Sequence, residues 1–105
     1  IKKYASNRKI VTIYDHWDLS FDEPLENQIE KLHEDLIQIT FIRGYLLDIG
    51  WYPEHNENGK FKGVLNRYEQ CDSPVYEIET RDMGNIIDWL QEVIECVFDF
   101  DLKSN

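Results

Sequence analysis

The stretch 25–41, "LENQIEKLHEDLIQITF", decides how the chain is laid out, because its beginning and its end suit different structures. Apolar residues at 25, 29, 32, 36 and 39 step by four, three, four and three, the spacing of one helix face. Glu26, Glu30, His33, Glu34 and Asp35 then fall largely on the solvent side. The final "IQITF" also fits a strand of period two. Continuity of the apolar face favours a single helix to about residue 42. Asp22 or Glu23 before Pro24 suits its start, and Gly44, with Arg43 in the last turn, suits its end.

Upstream, Ile10, Thr12 and Tyr14 alternate with Val11 and Ile13, a β-branched run that predicts a first strand. Downstream, "YLLDIGWY" (45–52) and "KFKGVLNRY" (60–68) bracket Asn58-Gly59, a pair suited to the positive φ angles of a type I′ turn. A two-residue turn there sets Glu57 opposite Lys60, His55 opposite Lys62, Tyr52 opposite Leu65 and Trp51 opposite Asn66. The polar residues of "PEHNE" then become cross-strand pairs at a hairpin tip. Pro53 lacks an N–H donor and predicts an edge or an irregularity at that point.

A turn at Cys71-Asp72-Ser73-Pro74 leads to "VYEIET" (75–80), a strand with Tyr76 and Ile78 on one face and Val75, Glu77 and Glu79 on the other. Asp82 is placed to cap a last helix whose buried stripe is Ile86, Leu90, Val93 or Ile94, and Val97, with Trp89 beside it. The expected fold is α+β: a two-layer sandwich of an antiparallel sheet of about four strands with two helices, in the order β-α-β-β-β-α, forming one domain over 1–105.

The chain has 105 residues, enough for one core. Its 21 acidic residues against 11 basic ones give a formal net charge of −10. Nucleic acid and anionic membrane are bound through Lys and Arg, so this balance disfavours both and favours a basic protein partner. No apolar run approaches the length of a membrane span, and "IKKYASNRK" lacks the apolar stretch of a secretory signal, so a cytoplasmic location is expected. Cys71 and Cys96 stand 25 positions apart with no CxxC, and both read as free thiols.

The histidines His16, His33 and His55 match no zinc spacing, and no phosphate loop or nucleophile motif is present. No catalytic residue, metal or cofactor is therefore assigned. The alternative is a small metal-dependent or hydrolytic enzyme built on "DHWD", where an extended chain turns His16 and Asp18 to one side, with Asp15 nearby. The stronger inventory is for binding. Glu54 and Glu57 at the hairpin, Glu69 and Asp72 at the next turn, and Glu77 and Glu79 on the last strand interleave with Trp51, Tyr52 and Tyr76. Carboxylates pair with the charge of Arg or Lys, and rings accept the cation and its apolar stem. An acidic adaptor or nucleic-acid mimic would use the same surface.

Over about residues 45–97, "DIGWYPEHNENGKFKG", "SPVYEIETRD" and "IIDWLQEVIE" follow one another as hairpin, strand and helix. With the size and acidity of the chain, this resembles the small acidic immunity proteins of bacterial toxin–immunity systems, including contact-dependent growth inhibition. The resemblance implies neutralisation of a cognate toxin domain, such as a basic nuclease, and no enzyme activity. That class shares no universal motif, so it assigns no role to any single residue here.

Overall fold

The computed structural model describes residues 4, 7–67 and 74–103. Five strands, β1 (Ile10–Asp15), β2 (Ile37–Phe41), β3 (Tyr45–Tyr52), β4 (Lys60–Arg67) and β5 (Tyr76–Thr80), form one antiparallel sheet in chain order. One helix, α1 (Met83–Lys103), follows them. The class is α+β, but among the described residues five strands and one α-helix replace the expected four strands and two helices, and the order is β-β-β-β-β-α.

The missing helix is explained by Gln28. Its side chain is buried and spent on backbone: Oε1 accepts from Ser20 N–H at 2.7 Å, while Nε2 donates to Ser20 O at 2.9 Å and Glu23 O at 3.0 Å. Its own backbone, at φ −125° and ψ 23°, leaves the helical region. The path breaks into two 3-10 turns, Leu25–Asn27 and Ile29–Lys31. Leu25, Ile29, Leu32 and Leu36 still face the core, so the spacing recorded burial without recording helix. The β-branched "IQITF" is free to pair as β2, with Ile37, Ile39 and Phe41 buried in strict alternation. Gly44, expected to end a helix, adopts φ 82° in the tight turn from β2 to β3, where its N–H donates to Phe41 O at 3.1 Å.

The hairpin register also differs from expectation. Tyr52 pairs with Lys60 and Trp51 with Phe61, so residues 53–59 form a seven-residue loop in place of a two-residue turn. The cause is Trp51, whose indole N–H donates to Asn56 O at 2.8 Å and draws the loop over its ring. Asn56 Oδ1 accepts from Asn58 N–H at 2.8 Å, and Arg81 closes the loop from outside by donating to Glu57 O at 2.7 Å and to Gly59 O.

One face of the sheet is covered. Helix α1 lies over β4 and β5, its cap formed by Asp82 Oδ1 accepting from Asn85 N–H at 2.9 Å. Ile86, Leu90, Val93, Ile94 and Val97 are its buried stripe, as the spacing predicts. The 17–36 segment closes the remainder, with Trp17 stacked on Phe61 at 5.6 Å and Leu19, Leu32 and Leu36 buried beside Ile49 and Trp51. The opposite face, carrying Gln38, Asp48, Tyr52, Lys62, Val64, Asn66, Glu77 and Glu79, has no described element packed over it.

Candidate functional site

The structure divides the surface that the sequence treats as one. Trp51 is fully buried in the core and edge-on to Phe61 at 4.9 Å, so it is no docking residue. Tyr76 lies on the covered side of β5, partly exposed and stacked near Phe100 at 6.3 Å. Glu54 and Glu57 are exposed on the 53–59 loop, and neither Glu57 with Lys60 nor His55 with Lys62 forms the expected cross-strand pair. Glu69 and Asp72 lie outside the described residues. Among the described residues, Tyr52, Glu77 and Glu79 come together on the open face of the sheet.

There they line a shallow cavity of about 490 Å³ with Asp48, Lys62, Val64, Asn66 and Pro74. The register explains the gathering. Asp48 pairs with Val64, Val64 with Glu77, and Lys62 with Glu79, so a single band across β3, β4 and β5 points outward. Two oxygens in this band are closed off from solvent and accept no hydrogen bond among the described residues: Asp48 Oδ1 and Asn66 Oδ1. An unsatisfied buried acceptor costs about 1–3 kcal/mol.

Its field is negative. Burial pushes the Asp48 carboxyl above the usual carboxylate range and the charge of Asp35 adds to this, while Gln38, its partner across β2, partly offsets both. Burial also raises the Tyr52 phenol, reinforced by the charges of Asp48, Asp35 and Glu34. Glu34 and Asp35 reach this face because the chain bulges just before β2. The Glu34 carbonyl lies against Gly50, where a β-carbon would sit 1.8 Å from its oxygen, so only glycine allows the approach. Glu79 forms an ion pair with Lys60 at 2.8 Å, and that hydrogen bond and charge lower its pKa. Glu77 makes no ion pair among the described residues.

Asp48 and Asn66 were not singled out from the sequence. An acid at the centre of an apolar strand, "YLLDIGWY", was the available signal. A second signal was the spacing of Asp88, Glu92, Glu95 and Asp99 at four, three and four, which forms an acidic stripe on α1. No Lys or Arg occurs between Arg81 and Lys103, and none of these four acids forms an ion pair among the described residues. Like charges one turn apart each cost a helix about 0.2–0.5 kcal/mol. Asp15, Asp18, Asp22, Glu23, Glu26 and Glu30 add exposed charge on the 15–30 segment.

The "DHWD" group does not assemble. Asp18 pairs with Lys31 at 3.8 Å, Asp15 Oδ1 accepts from Trp17 N–H at 3.0 Å, and His16 Nδ1 meets the Tyr14 hydroxyl at 2.9 Å. The chain leaves the strand at Asp15, which removes the alternation that would turn His16 and Asp18 together. Among the described residues no helix is long and apolar enough to cross a membrane. Compared with known proteins, the chain matches no family model, no curated protein and no solved structure.

Proposed function

We propose that this protein binds and neutralises a basic protein effector, the role of an immunity protein, and that the open face of the sheet receives a cationic side chain of that partner. The observation behind this reading is the exposed Glu77 carboxylate, which forms no ion pair among the described residues, beside the exposed Tyr52 ring in the cavity of the open face. An arginine offers a planar fork of N–H donors and an apolar stem, the complement of acceptors beside a phenol ring. The acids of α1 and of the 15–30 segment attract such a partner from a distance and speed encounter without fixing its orientation. A nuclease effector needs a basic surface to hold phosphate, so an acidic binder competes with its substrate.

The test is affinity isolation from the source cells, using the wild type and a Tyr52→Ala/Glu77→Lys variant. The proposal expects a basic protein on the wild type, released by salt and lost from the variant. That protein, expressed alone, should be toxic, and co-expression should silence it. Equal retention by the variant removes the open face from the account. A captured protein that is harmless alone removes neutralisation and leaves an adaptor.

A further inference from the structure

We propose that His33, Glu54 and His55 form a binding site for a divalent transition-metal ion of the zinc class. Twenty-one positions separate His33 from Glu54, so no ligand spacing shows in the sequence, and the fold supplies the convergence. His33 is fixed where its carbonyl accepts from Trp51 N–H at 2.8 Å. His55 is fixed by donating its N–H to Leu32 O at 2.8 Å, and it holds a left-handed φ of 57°. Both anchors flank the end of β3, and they bring the two rings to 5.0 Å between centroids.

The ligand atoms are spaced as a metal requires. His33 Nδ1 lies 3.2 Å from His55 Nε2 and 3.3 Å from Glu54 Oε1. Four ligands at about 2.0–2.1 Å around a tetrahedral zinc ion stand about 3.3 Å apart. All three ligand atoms fall within 4.8 Å of one another. Hydrogen bonding alone satisfies this group poorly. A proton on His33 Nδ1 can be directed at Glu54 or at His55, and a proton given by His55 to His33 leaves a lone pair facing the carboxylate. A cation at the centre is bound by all three at once.

Two imidazoles and one carboxylate suit zinc and its neighbours in the transition series, whereas magnesium and calcium prefer oxygen alone. His33 and Glu54 also line a cavity of about 280 Å³ with Tyr14, His16 and Asp35, which leaves room beside the ion for water or a further ligand. The ion would tie the 53–59 loop to the segment before β2. This inference stands apart from the proposed partner, because no residue of the triad lines the open-face cavity.

The experiment is calorimetric titration of untagged, chelator-treated protein with zinc ions in a non-coordinating buffer, with imidazole signals followed by NMR. The expected result is one ion per chain with micromolar or tighter affinity, shifts at His33 and His55, and no competition from excess magnesium. His33→Ala, His55→Ala and Glu54→Gln should each weaken binding roughly tenfold or more. Cys71→Ser/Cys96→Ser should stay within about threefold of wild type, far short of the loss from a ligand. The triad residues are exposed or half-exposed, so the metal-free variants should keep the wild-type circular dichroism and melting temperature. Absence of stoichiometric binding, unchanged affinity in the triad variants, or an equal loss in the cysteine variant would overturn the assignment.

Discussion

On the covered face of the sheet, Gln28 reaches three backbone groups and the Trp51 indole finds Asn56 O, so polar atoms taken from water there are matched. On the open face, Asp48 and Asn66 each hold an oxygen closed off from solvent with no donor among the described residues. The covered face meets its polar groups from within the chain, whereas the open face leaves Tyr52, Glu77 and Glu79 exposed, the surface that the proposed partner would occupy.

The sharpest way to break this contrast is to exchange neighbouring rings. Trp51→Ala empties the core and should cost about 3–5 kcal/mol in urea denaturation. Tyr52→Ala, one residue along and on the other face, should cost less than about 1 kcal/mol, as surface changes usually do. Equal costs would show that the open face is structural. Next in size, Gln28→Ala strands the Ser20 and Glu23 backbone groups and should cost about 2 kcal/mol, with faster hydrogen exchange across the two 3-10 turns.

Arg81→Ala removes two donors from the 53–59 loop and a cation that stands 5.6 Å from the Trp51 ring centroid. It should cost about 1 kcal/mol and raise exchange of the loop amides while the strands stay protected. The smallest effect concerns Asp48, and it is a gain. Its pKa is raised in the folded chain, so the native state holds the proton more tightly than the unfolded state, and the charged carboxylate is a burden at neutral pH. Asp48→Asn should stabilise by about 0.5–1 kcal/mol there. The gain should shrink as pH falls through the raised pKa and vanish below the ordinary carboxylate value, which melting curves across pH would record.

Much of the fold was legible in local patterns. β1, the strands around Trp51 and Tyr76, and the capped helix followed from alternation, β-branching and the Asp82 position. The 25–41 stretch departs from the expected helix because a helical spacing of Leu and Ile fixes which residues are buried, and Gln28 satisfies its polar ends by leaving the helix instead of extending it. The hairpin register failed for a similar reason. Asn58-Gly59 promised a tight turn, but the Trp51 indole offered a hydrogen bond that a two-residue turn cannot use. Of the expected contact residues, Tyr52, Glu77 and Glu79 share a site because alternation is local. The convergence of His33 with Glu54 and His55 depends on the bulge before β2 and on the long loop, which no spacing could reveal.

The most direct measurement is an NMR titration of the protein with a blocked arginine derivative at physiological salt, where long-range attraction is screened. The account predicts saturable shifts at Asp48, Tyr52, Asn66 and Glu77, abolished by Tyr52→Ala. Shifts confined to Asp88, Glu92, Glu95 and Asp99, or spread evenly over the acids, would contradict it and make charge alone the basis of recognition.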